Sequence, residues 1–323
     1  MRRRDCLLLA SGAIAVPGAA RAQPASRMLR VGTANVQPRT APQWMAFAQR
    51  MAQLGYVEGK NFSYDHVQIP NVEAWDAIYR EVVSRKPDIV IAAGPEQSLK
   101  SARAAAGTLP VVMIAVDYDP IARGHVASLA KPGGNVSGVY SQNAELAAKH
   151  LQLVKEMMPG IDTAAVIWDR LSIDYWTALQ AVAPKLGVRL KGLELAKRPY
   201  DYEAALAGLA AADRRVLVAQ SSPFFFLDRV ALAEAAIRTR TALMAQLRES
   251  VAAGALMSYG AGITDLWVLA ADYVDRIAKG ARPADLAVQR PTKFQMAINL
   301  KTAKAIGLTI PPLLLAQADE VIE

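Results

Sequence analysis

Two apolar runs constrain this chain most: Asp88-Ile-Val-Ile-Ala-Ala93 and Val111-Val-Met-Ile-Ala115. Neither alternates with polar residues, and each is bounded by turn residues. A strand of that composition is covered on both faces, as in a parallel sheet between layers of helix. Shorter or mixed runs at 29–34, 62–67, 136–139, 163–168, 188–195, 216–219 and 242–246 repeat the signal, with a further apolar segment at 255–259. Helix-patterned segments separate most of them, at 44–54, 72–84, 97–106, 145–158, 175–186, 202–211 and 227–238, and a long one follows at 264–279. In the first of these, Trp44, Phe47, Ala48, Met51 and Leu54 fall on one helical face before Gly55 ends the pattern.

Strands alternating with helices of this length predict an α/β protein with doubly wound parallel sheets. The alternation forms two series, and 323 residues suit two domains of ordinary size. A composition of 53% hydrophobic and 20% charged residues fills two cores and excludes a disordered chain.

The first 22 residues stand apart. Arg2, Arg3 and Arg4 form a basic head, an apolar run extends from Cys6 to Val16, and Pro17-Gly18 breaks it. Ala20-Arg21-Ala22 places small residues at −3 and −1 of a cleavage site before Gln23, the anatomy of a secretory signal. Arg3-Arg4 followed by Asp5, Cys6, Leu7 and Leu8 also resembles a twin-arginine signal, although Cys6 stands where that pattern prefers Phe, so both export routes stay open. The run is too short to span a bilayer, as is every later apolar stretch. The expectation is a periplasmic protein that is not integral to the membrane.

Export changes the chemistry available. Cys6 is the sole cysteine, so the mature chain has no disulfide, thiolate nucleophile or cysteine metal ligand. Four arginines and one aspartate leave with the signal, and the formal charge falls from +8 to +5. The remaining cations are scattered, with neither a basic stripe nor a reader motif, which argues against nucleic acid as a partner. Phosphate-loop, dinucleotide, zincin and nucleophile-elbow motifs are absent, so no enzymatic activity and no cofactor is expected. His66, His125 and His150 are far apart, the last two on expected helices, and their spacing predicts no metal site.

A binding site can still be placed by topology, because ligands of open parallel sheets sit beyond the carboxyl ends of the strands. The loops there supply Asn35 and Gln37; Gly94, Pro95, Glu96 and Gln97; Asp117, Tyr118 and Asp119; Trp168, Asp169 and Tyr175; Gln220, Ser221 and Ser222; and Gln246, Arg248 and Glu249. Tyr259, which the resemblance given below places at a crossing between lobes, joins them. Each has a bland alternative. Asp119-Pro120 and Ser221-Ser222-Pro223 suit helix starts, as do Asp169 and Asp174. Arg248-Glu249 suits an exposed pair, and Phe224-Phe225-Phe226 suits core or lobe-interface packing. Trp168, Tyr175, Tyr118 and Tyr259 could offer flat faces to an aromatic or heterocyclic solute.

Several phrases carry a resemblance. They are Gly55-Tyr-Val-Glu-Gly-Lys-Asn61, Asp119–Gly138, Gly254-Ala-Leu-Met-Ser-Tyr-Gly260, Tyr273-Val-Asp-Arg-Ile-Ala-Lys-Gly280 and Pro291–Pro312. Together they resemble the ABC-transporter substrate-binding family that includes tryptophan- and tyrosine-type binding proteins, over about Met28 to Glu323. The resemblance implies a type I periplasmic binding protein: two lobes joined by a hinge that the chain crosses several times. It implies an N-terminal lobe at 28–140, a C-terminal lobe at 141–257, a return to the first lobe at 258–281, and a final segment, 282–323, completing the lobes. It also implies a monomer that binds a small organic solute by hinge closure and delivers it to an ABC-type permease with its ATPase. A periplasmic sensor presenting its closed form to a membrane receptor is the alternative; an enzyme using Asp117 and Asp119 as acid and base is a third. Relatives often carry small hydroxyl residues where this chain has Gly94-Pro95-Glu96-Gln97. If Glu96 faced the cleft, its charge would favour an amine or a neutral group there.

Overall fold

The apolar runs pair in parallel, as their lack of alternation requires. The computed structural model describes residues 28–323 apart from 142, 220 and 221; the expected signal at 1–22 lies outside the described residues, as do Gln220 and Ser221. The first sheet holds β1 (Leu29–Asn35), β2 (Phe62–Gln68), β3 (Ile89–Gly94), β4 (Val111–Val116) and β5 (Val136–Ser141) in the order β2-β1-β3-β4-β5, all parallel. Successive side chains point to opposite faces. Ile89, Ile91 and Ala93 pack with Trp44, Phe47 and Met51 of the helix Pro42–Gln53. Val90 and Ala92 pack with Trp75, Tyr79 and Val82 of the helix Trp75–Ser84 and with Leu99 of the helix Glu96–Ala106.

The second sheet holds β6 (Thr163–Trp168), β7 (Arg189–Glu194), β8 (Val216–Ala219), β9 (Ala242–Ala245), β10 (Met257–Gly260), β11 (Gln295–Asn299) and β12 (Glu320–Ile322). Their order is β12-β11-β10-β9-β8-β6-β7, parallel except where β10 meets β11. Helices again cover both faces. Val166, Val218 and Met244 face Leu151 and Leu179, while Ala165, Leu217 and Leu243 face Leu206, Leu232 and Ala236. This is the doubly wound, two-sheet α/β class that the alternation predicts. Among the described residues no helix is long and apolar enough to cross a membrane.

After β10 the chain returns to the first sheet as the helix Ile263–Ala278, whose Leu266, Trp267, Ala270 and Val274 complete the core beneath Trp44 and Phe47. The segment beyond it runs along the free edge of β5. Ser137 Oγ donates to the Leu286 carbonyl, the Tyr140 N–H donates to the Gln289 carbonyl, and the Gln289 N–H donates to the Gly138 carbonyl. The backbone then passes to β11.

Three features differ from the sequence reading. Residues 258–260 are a strand of the second sheet, so the return begins at Ala261 instead of 258. The tail contributes β11 and β12, too short and too weakly patterned to stand out beside the long apolar runs. His125 lies in a turn and not on a helix.

Candidate functional site

Strands of both sheets end at one cleft, where the helices that follow them begin. Its inner part is a cavity of about 80 Å³. Asn35 and Gly94 end β1 and β3, with Gln37 and Pro95 just beyond; Gln43 and Trp75 project from the first turns of their helices and Trp267 from the second turn of its own. From the second sheet come Ser222, Pro223 and Phe226 after β8, and Gln246 and Leu247 after β9. A pronounced positive φ at Gly94 (108°), open to glycine without penalty, turns β3 into the helix whose start borders the cavity. Among the described residues, none that lines this inner part is an Asp, Glu, Lys, Arg or His.

The mouth is different. A second space of about 390 Å³ shares Pro95 and Val116 with the cavity and is lined by Glu96, Gln97, Lys100, Asp117, Tyr118 and Arg123 of the first lobe, with Arg170 and Asp174 of the second. Glu96, Lys100, Arg123 and Asp174 are engaged with one another. Burial alone would raise the Glu96 carboxyl, but bonds from His125 Nε2 (2.9 Å) and Lys100 (3.0 Å) outweigh it and hold the group below its ordinary range. Burial pushes His125 down, so at neutral pH the uncharged ring donates from Nε2 to Glu96 and accepts at Nδ1 from Arg103 (2.9 Å). The anionic influence expected of Glu96 is thereby offset within its own lobe. Arg123 spans the mouth, 3.5 Å from Glu96 and hydrogen-bonded to Asp174 across the cleft at 2.8 and 3.0 Å. Gln37 Nε2 makes a second tie by donating to the Pro223 carbonyl (2.9 Å).

Asp169 organises the second lobe's side of the cleft from behind. Its Oδ1 accepts the Leu171 and Ser172 N–H groups and the Ser172 hydroxyl (3.0–3.1 Å). Its Oδ2 accepts the Tyr200 hydroxyl (3.0 Å) and the Ser222 hydroxyl (2.5 Å), which also caps the helix Pro223–Leu227. One carboxylate thus fixes the loops after β6 and β8.

The other candidates divide by where their side chains end. Tyr118 borders the mouth edge-on to His125. Asp119 accepts the Ile121 and Ala122 N–H groups, its turn-forming alternative. Trp168 does not line the cleft. It shares strand parity with Val166 and stacks on Trp176 (5.9 Å, interplanar 3°) over Gly192 on the lobe's outer face. Arg248 pairs with Glu320 of β12 (3.2 Å), and burial raises the neighbouring Glu249 carboxyl; neither borders the cleft. Phe224 fills the first lobe's core cluster from the second lobe, Phe225 the second lobe's own, and Phe226 the cavity wall. Sequence reading missed Gln43, Trp75 and Trp267. The two tryptophans sit on apolar helical stripes that read as core, and Gln43 was detectable only as a polar residue in the first turn of a helix after β1.

Tyr175 and Tyr259 meet at His150, beneath the cleft. The ring is wholly buried; its Nε2 donates to the Tyr259 carbonyl (2.7 Å) and its Nδ1 accepts the Tyr175 hydroxyl (2.6 Å). Burial pushes the imidazole from 6.5 down to about 4. The unfolded chain therefore takes up a proton as pH falls through 6.5, while the folded chain resists until about 4. The stability held by neutral His150 is complete above pH 6.5, is lost between 6.5 and 4, and amounts to about 3 kcal/mol. Urea melts at pH 7 and pH 4 should show that loss, and His150→Gln should flatten the difference; an equal pH dependence in the variant would refute it.

The match to a family model covers residues 44–322, and its description is ABC transporter substrate binding protein. A tyrosine-binding protein of Clostridioides difficile (strain R20291) is 26% identical over 271 residues, 81% of this chain and 75% of that protein. A conserved domain protein from Vibrio cholerae superposes with a TM-score of 0.81 at 26% identity, over 91% of this chain and all of the other. An ABC domain from Streptococcus pneumoniae in complex with L-Trp gives 0.79 at 21% identity, over the same shares. With its two doubly wound sheets facing one cleft and its match across nearly the whole described chain, the protein belongs to the ABC transporter substrate-binding family.

Proposed function

We propose that this chain captures a small organic solute, an amino acid or an aromatic or heterocyclic compound, between its two lobes, closes on it by rotation about the crossings, and as a monomer presents the closed form to an ABC-type permease with its ATPase. Family membership makes it the solute-binding component of a transporter and not an enzyme. The carrying observation is the cavity itself, walled by the strand ends of both lobes and floored by Trp75 and Trp267. The tyrosine-binding relative and the neighbour holding L-Trp support a flat ligand. The basic head, apolar run and cleavage pattern of residues 1–22 support export to the periplasm.

Closure can be driven only by contacts that exist in the closed form. Arg123 supplies such contacts through Asp174. Both side chains are partly exposed, so the bridge contributes at most about 1 kcal/mol. Arg123→Ala should weaken solute binding by about two- to fivefold and enlarge the solute-free protein in small-angle scattering. A solute at a hundredfold excess over its Kd should stabilise the wild type by about 2.7 kcal/mol. If no amino acid, aromatic acid or nucleoside raises its Tm, the transport reading fails; if Arg123→Ala changes neither affinity nor dimensions, the closure reading fails.

A further inference from the structure

We infer that the inner cavity selects its solute by an uncharged flat ring bearing both a hydrogen-bond donor and an acceptor on its edge, the chemistry of a lactam or cyclic amide, and that an α-amino-acid group is not required. The inference rests on the proposed binding role of this cleft and specifies what the cleft recognises.

Two observations carry it. The first is the pairing state of the cavity's polar atoms. Asn35 Oδ1 accepts the Gln37 N–H, Gln37 Nε2 donates to Pro223, and Ser222 Oγ donates to Asp169. By contrast Gln43 Oε1, an acceptor, and Trp75 Nε1, a donor, have no hydrogen-bond partner among the described residues. Both residues line the cavity and are only 2% and 1% exposed. A buried polar atom left unmatched forfeits its hydration with nothing in return. A ring presenting an N–H to Gln43 and a carbonyl to Trp75 restores both bonds. A plain hydrocarbon ring restores neither, and an indole edge, with a donor alone, restores one.

The second observation is charge. Among the described residues the cavity lining contains no ionisable side chain, so a carboxylate or ammonium placed there would be desolvated without a counter-ion. At the mouth Arg123 is engaged with Glu96 and Asp174, and Lys100 with Glu96. A zwitterion lodged there must compete with the bridge that ties the lobes together. The indole and phenyl faces of Trp75, Trp267 and Phe226 supply flat apolar contact around the ring.

The test is calorimetric titration of the full mature chain with uracil, 1,3-dimethyluracil, L-tyrosine, L-tryptophan and L-phenylalanine, with intrinsic tryptophan fluorescence as a second readout. Uracil should bind at least tenfold more tightly than its dimethyl analogue, whose donors are blocked. In Gln43→Met, which removes the acceptor, that ratio should fall towards one. In Trp75→Phe, which removes the donor, uracil should weaken by about tenfold. Melting curves establish that each variant folds, and either one suffices if the other does not. A ratio near one in the wild type, an unchanged ratio in Gln43→Met, or binding confined to the zwitterions would overturn the inference while leaving the binding role intact. Failure of every small molecule to bind would remove both.

Discussion

Gly138→Ala is expected to destabilise the protein by more than about 4 kcal/mol, enough to leave most of the chain unfolded or insoluble. Gly138 lies in β5 opposite Met113 of β4. Its φ of 142° is one that L-residues rarely adopt. A methyl group placed there would overlap the Met113 carbonyl oxygen and stand 2.8 Å from the Met113 nitrogen. Both obstacles are main-chain atoms of a buried central strand, so they cannot swing aside as a side chain can. Relief requires parting β4 from β5, which breaks the ladder from Val111 to Val116 and uncovers Met113, Ile114 and Val139. Chemical denaturation of the purified variant measures the effect; a midpoint close to that of the wild type would show that the ladder adapts.

The second large effect belongs to Asp169→Ala. Five donors converge on this buried carboxylate, and alanine strands the Tyr200 and Ser222 hydroxyls and the Leu171 N–H, while the Ser172 N–H keeps its bond to the carbonyl of residue 169. Leaving such donors unmatched costs about 3–5 kcal/mol in sum. The functional consequence is separate. Ser222 and Pro223 form one wall of the cavity, and Leu171 and Asp174 border the mouth, so untying the two loops should weaken solute binding by tenfold or more. Asp169→Asn keeps one acceptor oxygen, and the two hydroxyls can rotate to accept from its amide; it should recover at least half of both losses. A variant with alanine at 169 that melts and binds like the wild type would disprove this positioning role.

Much of the architecture was legible because strand and helix periods are written locally. The runs at 88–93 and 111–115 are strands within a residue of their expected ends. The tail was not legible, because β11 and β12 owe their pairing to β10 and to each other and not to any strong run of their own. The cleft was legible as a set of loops. Asn35, Gln37, Gly94, Pro95, Ser222 and Gln246 converge on the cavity, and Glu96, Gln97, Asp117 and Tyr118 on its mouth. Individual members failed where direction decides. Trp168 ends its strand pointing to the face opposite Ile167 and so towards Trp176, a matter of parity. Trp75 and Trp267 show the converse: an apolar helical stripe reads alike whether it meets the core or a cavity, because the period records burial and not what lies opposite.

The route of the chain through the first lobe also sets a timetable. Ser137 waits for Leu286, 149 positions later, and the face carrying Trp44 and Phe47 waits for Trp267. At synthesis rates of roughly 5–20 residues per second, that gap lasts on the order of ten seconds. Throughout it the nascent sheet has one apolar face only partly covered, by the helix Pro42–Gln53, and an unpaired edge at β5, the conditions under which strands recruit other chains. The second sheet is no earlier, since its last strand ends at Ile322. Neither lobe is therefore a vectorial folding unit. Each is completed only by a segment far downstream of its first strand, Gln289 for one and Ile322 for the other, and until then the chain depends on whatever keeps it from its neighbours.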